Sequence, residues 1–554
     1  MAKKNNFFIQ AMILMAAGII TRIIGILYRI PMTNWLGDTG IYYYNQAYQV
    51  YMLFLILTSY SMPLAVSKMV SAKISQKEYI NSYRILKTAI FFGLVTGGVS
   101  FCILMFGANL IAGIIKVQGC ILALRVLAPA LLVMPVLGSL RGYFQGMNTM
   151  MPTALSQIVE QIINAIISLL AVLFGLRGAG LLNKTFHANL SDTAYGAAGG
   201  VLGSLLGAAS ALILLGFIFS LYKKPLKKLM RQERRYKRTR TEDYSHILRL
   251  LVLTVVPVIL STAVYNISGF IDTSVYNNIM VHKNVGEYEA LGGVFTSKYT
   301  TLIQLPTAIA SSLSSSMIPS ISAAVAVNNR KTALHKIDLS MRFILIISIP
   351  CAIGLAVLAR PIFYLLFGWE SLDIACNMMY IGCVSVVVYS LSTITNGILQ
   401  GTNYMRLPVI HSAVSVVVQL MVMILLLFTT NLKAYALVIA DVLFCLVVCI
   451  LNVNAIHRHL RYYTSIWKTW VLPLLAAGVM GVVTYFIYHI VFALIYHGSG
   501  LKLCVLAGLL LSICVAVVVY GGLLLYLQVV DENDLAAMPK GDFIIRIARK
   551  FHFM

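Results

Sequence analysis

The chain has 554 residues and carries 42 Lys and Arg against 18 Asp and Glu, which gives a formal net charge of +24. Hydrophobic residues make up 60% of it and charged residues only 11%, with a mean hydropathy of +0.87, whereas soluble chains carry about 25% charged residues. This composition excludes a soluble domain, a disordered chain, a collagen and a disulfide scaffold. It predicts an all-α polytopic membrane protein.

Long apolar runs recur from end to end and predict about 14 transmembrane helices. A retained first span is expected, because the run after Lys3 and Lys4 is long and has no obvious small-residue cleavage site. The predicted spans are 7–35, 41–73, 83–114, 119–146, 152–182, 194–223, 246–279, 288–327, 337–368, 372–401, 406–429, 433–457, 468–496 and 501–527.

Lys and Arg are concentrated in alternate loops, which indicates the orientation of the chain. With 14 spans, the basic N-terminus, the even-numbered loops and the basic C-terminal tail all fall on one side. Cytoplasmic loops keep the positive charge, so both termini are predicted to be cytoplasmic. This placement explains the net charge without a nucleic-acid partner, and none is predicted.

The sixth loop is the most basic segment and divides the chain near its middle. It favours a linker that sets topology, and the alternative is a contact with anionic lipid. The predicted domains are an N-lobe (1–223), a basic cytoplasmic linker (224–245), a C-lobe (246–457), two further helices (458–527) and a cytoplasmic tail (528–554).

An internal repeat supports two pseudo-symmetric six-helix lobes. The motif from Gly142 to Met150 recurs from Gly397 to Met405, and both the glycines and the Ser-Met pairs at 61 and 316 are 255 residues apart. Six spans return the chain to its starting side, so the lobes run in parallel sense, as in transporters that work by alternating access. In the sixth span, the spacing of Gly199, Gly203 and Gly207 predicts close helix packing.

The stretch from Arg141 to Gln161, RGYFQGMNTMMPTALSQIVEQ, resembles the signature of the SpoVB/YtgP branch of MurJ-type lipid flippases. Further similar segments are Arg29-Ile-Pro, Ser61-Met-Pro-Leu-Ala-Val-Ser-Lys68 and the run from Gln304. The resemblance extends over essentially the whole chain and places it in the multidrug/oligosaccharidyl-lipid/polysaccharide exporter superfamily. One departure is Asn164, where many relatives have an arginine, so the role of that arginine is not transferred.

The resemblance implies a flippase that moves an undecaprenyl-diphosphate-linked saccharide, lipid II above all, to the outer leaflet of the bacterial plasma membrane. It also implies use of the membrane potential or of a Na⁺ or H⁺ gradient, with no cofactor, and helices 13 and 14 as a groove for the lipid tail. The sequence has neither a nucleotide-binding nor a zinc-protease motif, and no histidine has ligand spacing, so neither an enzyme nor a metal centre is predicted.

Three rival functions stay open. One is a flippase for another polyprenyl-linked polysaccharide or a spore-cortex unit, and another is a drug/cation antiporter. The third is a non-transporting scaffold of the cell-wall synthesis machinery, which is also the expected protein partner.

Arg22 and Arg29 are the first candidate substrate-binding residues, because they lie seven residues apart on one face of an apolar helix. A charge at that depth costs at least about 2.5 kcal/mol unless it faces water or a counter-charge. Guanidinium groups suit a diphosphate, since they donate paired hydrogen bonds. The alternative is a structural ion pair with Asp38 or Asp272.

Lys298 and Asp272 are the next charges predicted inside the membrane. Three roles are open for this pair: a salt bridge that opens or closes with the gate, a phosphate contact by Lys298 with a coupling cation at Asp272, or a static buried pair. Asp38 is a further candidate for a cation or gate residue. Lys68 lies near a helix end, where snorkelling competes with cavity lining.

A polar cluster in the fifth span completes the candidate set. Gln157 and Glu160 contact substrate or tie helices together, and Arg141 contacts phosphate or stabilises a helix end.

Overall fold

The computed structural model describes residues 2–186, 189–236, 241–326, 329–402, 404–462, 467–496 and 501–529. Within these ranges the regular structure is helical. The chain divides into two compact units, Met1–Gly293 and Val294–Met554. The predicted tail from residue 530 onward lies outside the described residues.

Nine helices of the first unit follow one another in sequence. They are α1 (Ala2–Leu55), α2 (Met62–Ser75), α3 (Tyr79–Ile115), α4 (Ile121–Leu127), α5 (Ala130–Gly146), α6 (Met151–Phe186), α7 (Asp192–Tyr236), α8 (Tyr244–His282) and α9 (Tyr288–Gly293). A π-helical turn at Ile56–Tyr60 joins α1 to α2, and a 3₁₀ turn at Gln118–Cys120 precedes α4. The first unit therefore includes α8, which the sequence assigns to the C-lobe.

The first two predicted spans are joined through a single residue. Gly37 has φ 66° and ψ 177°, a conformation outside the helical region, and it separates the two halves of α1. Positive φ is readily available only to glycine. The predicted loop at 36–40 is thus replaced by a break at one glycine.

Helix α7 is longer than predicted. It continues past the expected end at residue 223 and reaches Tyr236, so most of the predicted linker is helical. Lys and Arg are good helix formers, which explains why the basic run extends the helix.

Close packing of α6 on α7 depends on glycine, as the spacing predicts. A Cβ on Gly199 would lie 2.2 Å from the carbonyl oxygen of Ala171, and one on Gly207 would lie 2.6 Å from the carbonyl oxygen of Glu160. Neither position can hold a larger residue without moving the backbone.

A π-helical turn at Val294–Tyr299 opens the second unit, and nine helices follow. They are α10 (Thr300–Ala326), α11 (Arg330–Val357), α12 (Ala359–Phe367), α13 (Leu372–Gly382), α14 (Val384–Gly401), α15 (Arg406–Thr429), α16 (Tyr435–Leu460), α17 (Leu472–Tyr496) and α18 (Leu501–Tyr526). A π-helical turn at Trp467–Val471 precedes α17.

The repeated motif makes the same helix contact in each unit. In the first unit, α5 packs on α2, where a Cβ on Gly142 would lie 2.8 Å from the carbonyl oxygen of Pro63. In the second, α14 packs on α10, where a Cβ on Gly397 would lie 3.4 Å from Cγ1 of Ile318. Both partners are displaced by the same 255 residues. The sequence repeat is therefore also a repeat of tertiary packing.

Nine helices among the described residues are long and apolar enough to cross a membrane, and the number becomes 11 if each of two bent pairs is one span. The bent pairs are Gln118–Leu127 with Ala130–Gly146, at 43°, and Leu372–Gly382 with Val384–Gly401, at 50°. Each pair coincides with one predicted span. The expected all-α polytopic class is confirmed.

Candidate functional site

A polar seam in the first unit contains the candidate residues Arg29, Arg141 and Glu160. It runs where α1 packs against α6, between helix surfaces that are otherwise apolar. Its residues come from both halves of α1, from α6 and from the end of α5.

Arg29 is held by a residue from the other half of α1. Its Nη2 donates to Oδ1 of Asn45 at 2.6 Å. Sixteen residues of straight helix would separate the two by about 24 Å, so the break at Gly37 is what brings them together. The Arg29 side chain is half-buried, and its buried Nε has no hydrogen-bond partner among the described residues.

Arg22, about two helical turns before Arg29 on α1, is exposed. The structure therefore places one of the two candidate guanidinium groups in the seam and leaves the other on the surface of the first unit. Gly25 lies between them, and a Cβ there would be 3.2 Å from Nε2 of Gln161 on α6. Gln161 thus faces the part of α1 between the two arginines.

Arg141 and Glu160 pair with each other. Nη2 of Arg141 lies 2.6 Å from Oε2 of Glu160, and Nε donates to Oγ of Ser156 at 3.0 Å. Both side chains are largely buried, so this ion pair ties the end of α5 to α6. This contact agrees with the structural alternative for Arg141 and for Glu160, while Gln157 on the same helix is half-buried.

Asn164 extends the seam by one further turn of α6. Its Nδ2 lies 3.4 Å from the hydroxyl of Tyr28 on α1, and its Oδ1 accepts a hydrogen bond from Ser168 at 3.0 Å. Sequence reasoning did not single out Tyr28 or Ser156. A signal was present for Tyr28, since it is a polar aromatic one residue before Arg29.

A row of tyrosines follows the second half of α1. The Tyr44 and Tyr48 rings stack at 5.9 Å between centroids, and Tyr48 and Tyr51 lie 5.8 Å apart. The Tyr48 hydroxyl also interacts electrostatically with Arg29 and Glu160. Tyr44 and Tyr51 are both buried in the apolar core of the first unit, so this row of rings packs the inner side of α1.

The acidic candidates are buried in the first unit. Asp38 is 3% exposed and Asp272 is 8% exposed, and Asp272 accepts a hydrogen bond from Oγ of Ser268 at 3.3 Å. Next to it on α8, Thr273 donates to Oε1 of Gln49 at 3.0 Å. No group of three or more His, Cys, Asp or Glu that could hold a metal ion is found among the described residues.

Lys68 and Lys298 lie in different surroundings. Lys68 is exposed on α2. Lys298, in the second unit, is 2% exposed on the π-helical turn, and its Nζ donates to the backbone carbonyl of Glu370 at 2.7 Å. A pairing of Lys298 with Asp272 stays a prediction.

Comparison with known proteins agrees with this architecture. The family model described as "Polysaccharide biosynthesis protein" matches residues 9–325, and the MatE model matches residues 257–425. The chain is 28% identical over 519 residues to "Lipid II flippase MurJ" of Bacillus subtilis (strain 168), covering 91% of this chain and 92% of that protein. It is 24% identical over 560 residues to "Stage V sporulation protein B" of the same organism, covering 98% and 100%.

Solved structures show the same fold. A lipid II flippase MurJ in an inward closed conformation superimposes with a TM-score of 0.61 at 14% identity, covering 92% of this chain and 98% of that one. An inward-facing multidrug resistance MATE family transporter of the MOP superfamily gives a TM-score of 0.64 at 14% identity, covering 81% and 98%. The expected superfamily and multi-pass membrane location are confirmed.

Proposed function

The chain belongs to the polysaccharide biosynthesis protein family, and on that premise we propose that it is a flippase for an undecaprenyl-diphosphate-linked saccharide, with lipid II as its substrate. The headgroup crosses by alternating access between two states of the protein. The polyprenyl tail stays in the bilayer, since its transfer into a polar seam would lose the favourable apolar environment.

The observation that carries the proposal is the Arg29 guanidinium in the α1–α6 seam. Asn45 fixes one end of the group at 2.6 Å, while the buried Nε is left to donate elsewhere. A positioned, permanently charged donor suits a diphosphate better than an uncharged drug. Arg22, exposed on the same face, would hold the same anion before it reaches Arg29.

The remaining candidates have secondary roles in this proposal. Gln157 and Gln161 would hydrogen-bond sugar or peptide groups, and Arg141 with Glu160 would keep α5 and α6 in register. Lys298 would contact phosphate only in a state in which it leaves the Glu370 carbonyl. Lys68 would attract the headgroup at the helix end.

Location and energy source complete the proposal. The protein would act in the bacterial plasma membrane with both termini in the cytoplasm, beside the cell-wall synthesis machinery. Membrane potential or a Na⁺ or H⁺ gradient would drive the cycle, with Asp272 or Asp38 as the cation or gate group. If Asp272 serves this role, Asp272→Asn should abolish the dependence of transport on the ion gradient while lipid binding persists.

Complementation with a direct readout tests the function. The protein is expressed in bacteria depleted of their lipid II flippase, and lipid II in the outer leaflet is measured alongside growth. We expect rescue by the wild type and loss of rescue by Arg29→Ala at equal membrane abundance. Arg177→Ala is the matched control, because Arg177 is an exposed arginine on α6 outside the seam.

Failure of the wild type to rescue, with folded protein in the membrane, would contradict lipid II as the substrate. Reconstituted vesicles would then decide between the rivals. Transport of another polyprenyl-linked saccharide would identify a different flippase, cation-coupled drug efflux would favour the antiporter suggested by the MatE match, and no transport at all would favour a scaffold.

A further inference from the structure

The end of α7 is strongly cationic. Between Lys223 and Arg235 the helix carries seven basic residues, and all seven are exposed. The segment follows directly on the apolar part of α7, whose membrane-spanning stretch begins near Asp192.

The seven charges share one face of the helix. At about 100° per residue, they fall within an arc of roughly 140°. Leu226, on the other side, is 1% exposed and belongs to the same apolar cluster as Ile85 and Leu251, and Met230 packs against that cluster. The apolar face is thus already docked onto the first unit, so the helix cannot turn its cationic face inward.

An acidic residue within this basic segment fixes its position. Glu233 is 6% exposed, and its Oε2 accepts a hydrogen bond from the backbone amide of Ile80 at 2.8 Å. Ile80 is in the first turn of α3, where backbone amides lack helix partners and the helix dipole favours an anion.

The chain contacts α2 and α3 again at Glu242 and Tyr244. The backbone amide of Glu242 donates to Oδ1 of Asn81 at 3.0 Å, and its carboxylate pairs with Lys73. Arg84 lies over the ring of Tyr244, 4.5 Å from its centroid. The end of α2 and the first turns of α3 therefore hold both sides of the linker.

We propose that the cationic face of α7, from Lys223 to Arg235, is a binding surface for the headgroups of anionic phospholipids, of the phosphatidylglycerol type, in the leaflet at that end of the helix. Clusters of four to eight basic residues next to a membrane-spanning helix attract anionic lipid through their summed charge. Lys223 and Lys224 stand at the end of the apolar stretch, where long basic side chains reach the phosphate layer.

A purely topogenic segment would not need this arrangement. Topology depends on how many basic residues a loop has, whereas binding of headgroups by summed charge is strengthened when the residues lie on one side and are held there. The segregation of charge, the docked Leu226 face and the Glu233 anchor meet the second requirement.

Native mass spectrometry of the full-length protein in detergent tests the surface. Phosphatidylglycerol or phosphatidylcholine with the same acyl chains is titrated, and the apparent Kd is measured. The face variant is Lys223→Gln, Lys224→Gln, Lys227→Gln and Lys228→Gln together. The control variant removes four exposed charges at other positions in or next to loops predicted on the same side, by Lys77→Gln, Lys331→Gln, Arg406→Gln and Arg458→Gln.

We expect the face variant to bind phosphatidylglycerol at least tenfold more weakly, the control variant to stay within twofold of the wild type, and phosphatidylcholine to bind weakly to all three. A variant with Arg instead of Gln at the same four positions should bind phosphatidylglycerol with wild-type affinity. This result would separate the effect of charge from an effect on folding. Unchanged phosphatidylglycerol binding in the face variant would overturn the proposal, as would an equal loss in the control variant, which would indicate a general effect of net charge.

Discussion

Nη2 of Arg29 donates to Oδ1 of Asn45 at 2.6 Å across the break at Gly37, so the two halves of α1 together position one guanidinium group. A hydrogen bond with a charged donor contributes about 1.5–3 kcal/mol. The bond therefore helps to hold the two halves of α1 together, and it fixes the orientation of the guanidinium group.

Arg29→Lys should reduce transport at least tenfold even though it keeps the charge. A lysine ammonium is a point charge and cannot bond Asn45 while it presents a second aligned donor. Transport of fluorescent lipid-linked saccharide in reconstituted vesicles measures the effect, with Arg177→Lys as the control. Wild-type transport by Arg29→Lys would show that charge alone is sufficient.

Asn45→Leu should have a smaller but related effect. It leaves Arg29 in place without its acceptor, so we expect transport to fall several-fold and the half-saturating lipid concentration to rise. Thermal unfolding measured beside transport separates the two roles, because a purely structural Asn45 would lower the Tm without changing lipid affinity.

The ion pair of Arg141 with Glu160 gives a prediction about stability. The pair is largely buried, and removal of one partner leaves a charge that is poorly solvated. Glu160→Ala and Arg141→Ala should each destabilise the protein by about 1–3 kcal/mol, measured as a lower Tm in detergent.

A double-mutant cycle shows whether the pair acts as a unit. The double variant should be less destabilised than the sum of the single variants, and transport by the folded fraction should persist. Additive losses of stability would mean that the two side chains act separately. Loss of transport at an unchanged Tm would indicate that they bind the substrate.

Helix positions and the repeat could be predicted because they depend on local sequence. Apolar run length defines the spans, and the 255-residue offset marks Gly142 and Gly397, whose equivalent packing the structure confirms. The pairing of Arg141 with Glu160 could not be assigned in the same way, because opposite charges 19 residues apart meet only through the angle between α5 and α6.

The chain reversal at Gly37 shows a second limit. The sequence around Gly37 predicted a short loop between two helices. Nothing in that sequence indicated that Asn45, after the break, would reach Arg29. The extension of α7 past residue 223 could not be predicted for a different reason. A run of lysines and arginines is equally typical of a linker and of an exposed helix, and only the docked positions Leu226 and Glu233 distinguish them.

The repeated glycine contacts predict unequal effects in the two units. Gly142→Ala would place Cβ 2.8 Å from a backbone carbonyl, whereas Gly397→Ala would place it 2.1 Å from the Ser314 hydroxyl, which can rotate away at the loss of its hydrogen bond to the Thr393 carbonyl. We expect Gly142→Ala to lower the Tm clearly and Gly397→Ala to lower it little. Gly216→Ala, with nothing within 4 Å, is the neutral control. Equal losses at Gly142 and Gly397 would contradict this explanation.

The Glu233 anchor predicts local loosening without loss of the fold. Glu233→Ala removes the acceptor of the Ile80 amide, so amide hydrogen exchange at residue 80 should become roughly tenfold faster. Exchange in the middle of α3 should not change, because those amides are bonded within the helix. Gln232→Ala, at the adjacent exposed position, is the matched control. If Ile80 exchanged at the wild-type rate in Glu233→Ala, the docking of α7 would depend on the apolar contact of Leu226 rather than on this carboxylate, and Leu226→Ala would then be the variant that frees the segment.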